Sequence, residues 1–223
     1  MHGSSNEADP PLSQATLDGA GLAEPAPVTD YRVRPATAAD ADAICRIYNQ
    51  GIEDRVATLE TELRTPEERR RWLANRSPRH PVVVAEATEP RFVGGHGGGE
   101  TEPGRTFVKP PTESSGLAAP ATMVGWGSLN VFNPREAYRF VADFSIYVER
   151  AWRGRGVGRA MLEALIELAR THGFHKLVLS AFPFNAVGGA LYEKLGFRTV
   201  GVYREQGLLD GKWVDTIIME KLL

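Results

Sequence analysis

The chain has little of what several common functions require. Of its 223 residues only Cys45 is a cysteine, so an intrachain disulfide and a thiolate metal cluster are excluded. Basic and acidic residues nearly balance, 26 against 28, for a formal charge of -2. That argues against a nucleic-acid partner, because phosphate backbones select strongly basic surfaces. No apolar stretch approaches the length needed to span a bilayer, and Met1 to Glu7 lack the basic start and apolar run of a secretory signal. The expected setting is the cytoplasm, with no membrane partner and no metal.

With 42% hydrophobic and 24% charged residues, the chain can bury one good core. Residues 1–29 are rich in Pro, Gly, Ala, Ser and acidic residues and read as a disordered tail, since they offer too little apolar surface to offset ordering. Residues 30–223 read as one domain. Within it, 88–121 breaks the pattern with a glycine run at 94–99 and Pro110-Pro111, and is expected to be a flexible insertion in a hairpin.

Tyr31 to Arg34 alternates as a first strand, and Thr37 to Asp40 forms a capping box ahead of a helix that places Ile44, Ile47, Tyr48 and Ile52 on one face. Ala57 to Glu62 is a candidate edge segment. Thr65-Pro66-Glu67-Glu68 starts a second helix, and Arg69-Arg70-Arg71 reads as its solvated face beside the acids. His80, between Pro78 and a strand at Val82 to Ala85, reads as a loop residue. Strands follow at Met123 to Leu129, Phe140 to Val148 and Lys176 to Ala181. The chain ends in strands at Arg198 to Arg204 and Val214 to Lys221, joined across residues 207–212 with a hairpin signal at Asp210-Gly211. His172 and His175 flank Gly173 at a helix end and do not suggest a metal pair.

Phe140 to His172 organises the rest. A nine-residue apolar strand, Phe140 to Val148, leads into Arg153-Gly154-Arg155-Gly156-Val157-Gly158, and a helix follows with Val157, Met161, Ala164, Leu165 and Leu168 on its apolar face. The first N–H groups of a helix lack internal partners and favour an anion. Glycines allow close approach, and Arg153, Arg155 and Arg159 add charge, so the turn reads as a pyrophosphate cradle. A P-loop would need Gly-Lys-Ser/Thr, and a dinucleotide fingerprint would need glycine where Arg159 stands.

Arg-x-x-Gly-x-Gly at Arg153, Gly156 and Gly158, following a strand and opening a helix, resembles the acetyl-CoA motif of the GNAT N-acetyltransferases. The resemblance covers about residues 31 to 223 outside the insertion, and is strongest to the phosphinothricin and arsinothricin acetyltransferases. It implies an α/β GNAT acyl-CoA N-acyltransferase fold, a mixed and mostly antiparallel sheet flanked by helices, whose central strands splay near Ile146. It further implies acetyl-CoA as cosubstrate, held by the backbone of Ile146, Tyr147 and Val148, by the turn from Arg153 through Arg159 and by Asn185. A small-molecule amine would be the acceptor, and Tyr203 to Glu205 with Trp213 to Asp215 would form a homodimer face.

For chemistry, the resemblance implies Asp143 as base and Tyr192 as the acid for the departing thiolate. Relatives carry Glu at the first position, so the shorter Asp acts directly or through a water. An ionised carboxylate in an apolar strand otherwise needs a partner, and Arg139 is one. Arg139 and Arg135 are candidates for the acidic end of the acceptor, with ordinary surface ion pairs as the alternative. Glu60 is a further candidate beside the acceptor. Asn185 also suits a helix N-cap, and Tyr192 a core position. The acceptors implied are acidic amino-acid analogues of the phosphinothricin, arsinothricin and methionine sulfoximine type. An enzyme for another amine, a polyamine or a protein N-terminus is the alternative, as is an acyl-CoA-binding module without turnover.

Overall fold

A computed structural model describes residues 31–87 and 122–223. The expectations for the tail and for the insertion lie outside these residues. The ends that flank the insertion are paired: β2 (Val82–Ala87) and β3 (Thr122–Val131) are antiparallel neighbours, with Ala87 opposite Thr122.

Around this pair, β1 (Tyr31–Pro35), β4 (Val141–Val148), β5 (Lys176–Ala181), β6 (Arg198–Leu209) and β7 (Lys212–Leu222) complete one sheet in the order β1-β2-β3-β4-β5-β7-β6. Every neighbouring pair is antiparallel except β4 and β5. The helices are α1 (Ala41–Glu53), α2 (Pro66–Ala74), α3 (Val157–Thr171) and α4 (Ala186–Lys194). The mixed, mostly antiparallel α/β architecture expected from the sequence is the one observed.

Both faces of the sheet centre are covered, which explains why its strands are apolar on successive residues rather than alternating. On one face α3 buries Val157, Met161, Leu162, Leu165, Ile166 and Ala169, against Leu129, Ala142 and Phe144. Gly125 lets that helix lie close, since a Cβ there would sit 2.8 Å from the Met161 sulfur. On the other face α1 lays Ile44, Ile47, Tyr48 and Ile52 over Val84 and Trp126. Burying each such aliphatic side chain is worth roughly 1.5–3 kcal/mol. Cys45 is buried in α1, and burial pushes its thiol pKa up.

Three sequence expectations need correction. Ala57 to Glu62 forms no strand. Arg55 sits in the left-handed region (φ 55°) and its guanidinium donates to the carbonyls of Ile52 and Glu60, so a side chain, not a neighbouring strand, holds this segment. The final hairpin is tighter than read: β6 and β7 run on until only Asp210 and Gly211 remain between them, at φ 49° and 77°. Such a two-residue turn matches the right-handed twist of its strands, which lets pairing persist to Leu209 and Lys212. Finally, Arg69 does not share the solvated face of α2 with Arg70 and Arg71. It is buried, 8% exposed. Among the described residues no helix is long and apolar enough to cross a membrane.

Candidate active site

The sheet opens at its centre. β4 pairs with β5 only from Val141 to Asp143, opposite Lys176 to Val178. Beyond that point β4 stays on β3, with Ser145 opposite Ser128 and Val148 opposite Gly125, while Leu179 to Ala181 stay on β7. From Phe144 to Val148, one edge of β4 therefore has no strand beside it. This is the splay expected near Ile146, and it begins two residues earlier. Phe144 packs there against Tyr192 and Phe197, with ring centroids 6.0 and 5.5 Å away.

The free edge leads to the glycine turn. Gly154 and Gly156 have φ of 75° and 93°, a region that a Cβ disfavours. Gly156 is the N-cap of α3. Backbone donors resume among the described residues only at Arg159 and Ala160, both onto the Gly156 carbonyl. The N–H groups before them, with the positive end of a 15-residue helix behind, suit a phosphate. An unpaired strand edge running into an anion turn fits the extended amide arm and pyrophosphate of coenzyme A.

The three arginines differ in role. Arg153 is tied to Asp54 at 2.5 Å and to the Val148 carbonyl at 3.2 Å. Arg159 pairs with Glu163 at 2.9 Å. Arg155 lies over the Trp152 ring and makes no ion pair among the described residues. Asp54 also binds Arg150 at 2.7 Å, and these two guanidiniums, Arg150 first, hold its carboxyl below the usual range. The end of α1 is thereby clasped to the glycine turn. Asn185 caps α4, accepting from the Gly188 N–H at 3.1 Å, so its capping role is realised.

Asp143, Ser145 and Tyr147 alternate onto the face opposite α3. A pocket of about 360 Å³ lies on this face, lined by Ser145 and Tyr147 together with Trp126, Ser128 and Asn130 of β3. Tyr48, Arg69 and Trp72 close it from α1 and α2, and Glu60, Arg64 and Glu68 add charge. Asp143 stands opposite Asn130 in register. It makes no ion pair among the described residues, and burial raises its carboxyl pKa to about 6, partly offset by the Phe144 N–H. Tyr192 is raised by burial as well.

Asp143 thus stands at the start of the free strand edge, with Tyr192 packed on the neighbouring Phe144 and the glycine turn at the far end of that edge. Glu60 joins the pocket, paired with Arg64 at 2.7 Å. Arg139 and Arg135 stay exposed on the loop before β4. Arg139 pairs with Glu136 at 3.1 Å and stacks on Phe140, so it is not the partner of Asp143. His80 packs against Phe174, and burial lowers its pKa. Sequence reading missed Arg64, Arg69 and the aromatic wall of Tyr48, Trp72 and Trp126. The signal for Arg69 was its i,i+3 spacing from Trp72, which puts both on the helix face that turns inward.

Residues 52–197 match the family model described as "Acetyltransferase (GNAT) family". YwnH of Bacillus subtilis, provisionally named a phosphinothricin acetyltransferase, is 30% identical over 86% of this chain and 98% of its own length. The L-methionine sulfoximine/L-methionine sulfone acetyltransferase of Pseudomonas aeruginosa is 26% identical over 84% of this chain and 92% of its own. The crystal structure of a phosphinothricin acetyltransferase from Sinorhizobium meliloti, in complex with acetyl-CoA, aligns with a TM-score of 0.68 at 26% identity. That alignment covers 86% of this chain and 88% of that one.

Proposed function

The chain belongs to the GNAT acetyltransferase family and is an acetyl-CoA-dependent N-acetyltransferase; from that premise we propose that its acceptor is a small amino acid of the phosphinothricin, arsinothricin or methionine sulfoximine type, and that its role is detoxification. One observation carries the reading. A half-buried carboxylate with no counter-ion among the described residues, Asp143, lies where the sheet opens, on the face that carries a pocket walled by aromatics and arginines.

The backbone edge of Ile146, Tyr147 and Val148, the turn from Arg153 through Arg159 and Asn185 would hold the cosubstrate. When bound, acetyl-CoA supplies a thioester carbonyl as electrophile and a thiolate as leaving group. Asp143, with a pKa of about 6, is mostly ionised at neutral pH and takes a proton from the acceptor amine, directly or through one water. Backbone N–H groups at Phe144 to Ile146 stabilise developing negative charge on oxygen. Tyr192, kept protonated by burial, holds a proton at its phenolic oxygen for the leaving sulfur. Glu60 borders the acceptor, and Arg139 and Arg135, exposed on the loop before β4, contribute a long-range attraction for acidic molecules.

A homodimer is part of this proposal. β6 is the sheet edge and exposes Val200, Val202, Tyr203 and Leu208, with Trp213 beside it at 62% exposure. A long apolar edge of that kind is normally covered. A cytoplasmic setting is part of the same proposal.

The test is thiol release from acetyl-CoA by the purified protein with phosphinothricin, arsinothricin, methionine sulfoximine, glutamate, polyamines and N-terminal peptides. Release with the first three and not the others supports the reading. Release only with polyamines or peptides overturns it.

A further inference from the structure

Arg69 is an anomaly that the chemistry above leaves unused. It is the one buried residue of α2. Its guanidinium lies over the Tyr48 ring at 3.9 Å and 5.5 Å from Trp72, and its Nε, fully enclosed, has no hydrogen-bond partner among the described residues. Among the described residues it makes no ion pair, although two carboxylates line the same pocket. Both are engaged elsewhere. Glu60 binds Arg64, and Glu68 accepts from the Thr65 backbone N–H at 2.7 Å in the capping box of α2.

An enclosed, permanently charged guanidinium without an anion is costly, and breaking such pairs is among the larger single-site penalties. Aromatic faces recover part of that cost and fix the guanidinium plane. They leave its in-plane donors unused. A planar fork of N–H donors fits two oxygens of one carboxylate or phosphinate.

We propose that Arg69 is the specificity residue for the acceptor, binding an oxyanion pair of the amino acid from the α2 side of the pocket, while Arg139 remains outside it. This rests on the acidic amino-acid reading above. The Asn130 to Asp143 register puts the base on the same sheet face, so an acceptor held by its acid group against α2 presents its amine to the sheet.

Steady-state kinetics on Arg69→Gln and Arg69→Lys test this, with phosphinothricin and methionine sulfoximine as acceptors and melting midpoints as a folding control. Arg69→Gln should raise the acceptor KM at least tenfold and leave the acetyl-CoA KM within twofold. Arg69→Lys, which keeps the charge without the fork, should fall between. A rise for both acceptors identifies the shared carboxylate as the bound group, and a rise for phosphinothricin alone identifies the phosphinate. Unchanged acceptor KM in both variants overturns the proposal, and the lysine variant decides alone should the glutamine variant fail to fold. Wild-type enzyme that acetylates neither compound instead overturns the acceptor reading, before any variant is compared.

Discussion

Asp143 and Val178 are the last residues paired between β4 and β5 before the two strands part. The one carboxyl of β4, on the pocket face of the sheet, therefore stands at the edge of the opening. The backbone just beyond it, from Phe144 onward, is free of a second strand.

The pH dependence follows from the Asp143 environment. Burial puts its pKa at about 6, so kcat/KM for the acceptor should rise as pH increases through that value, until the amine or another group limits it. Asp143→Ala should lower kcat by about 100-fold or more while acetyl-CoA binding, measured by calorimetry, changes little. Turnover equal to wild type would remove Asp143 from the mechanism.

The same residue should cost stability. A folded-state pKa of about 6 lies above the ordinary 3.8, so the folded protein holds the proton more tightly than the unfolded chain between those values. Stability falls as pH rises through that window and stays lower above it. Asp143→Asn should melt higher than wild type at pH 8, by on the order of 2 kcal/mol in stability, with the gap narrowing toward pH 4. Thermal melts of both proteins across that range test the sign.

Gly156 cannot carry a side chain without strain. Its φ is 93°, yet a Cβ would meet only Tyr31 at 3.8 Å, so the penalty comes from the backbone and not from crowding. Gly156→Ala should cost about 1–2 kcal/mol in stability. It should also weaken acetyl-CoA binding by tenfold or more as the turn shifts. Unaltered affinity in a calorimetric titration would argue against the turn as the cosubstrate site.

Tyr192 packs edge-on against Phe144 and Phe197, and removing only its hydroxyl preserves those contacts. Tyr192→Phe should therefore leave the melting midpoint within a degree or two and lower kcat by about tenfold or more. A fall in stability without a fall in kcat would return Tyr192 to a packing role.

Trp213 tests the assembly. Trp213→Glu places a charge on the exposed β6–β7 face and should convert a dimer into a monomer by light scattering at micromolar concentration. A wild type that is already monomeric overturns the proposed dimer, and a variant that stays dimeric removes this face from it.

Much of this was legible in the chain. Local rules place the capping boxes at Thr37 and Thr65, the glycines that turn the chain before α3 and the Asp210-Gly211 hairpin. Each depends on residues within a few positions of one another. The glycine turn before α3 and the carboxylate in an apolar strand are of the same kind, which is why both stood out in the sequence.

Other features depended on partners far apart in sequence. Arg69 looks solvated in an arginine run, and only the packing of α2 against Tyr48 turns it inward. Arg139 is close to Asp143 along the chain, yet a short helical turn swings it onto Glu136 and Phe140. Arg153 reads as a free phosphate ligand, while Asp54, 99 residues earlier, holds it in place. By itself the sequence determined the strand-turn-helix with its glycine turn, because helix ends and positive-φ glycines are local physics. Only the tertiary structure decided which arginines remain available to a ligand, because a guanidinium is taken or left free by whatever carboxylate the fold brings within reach.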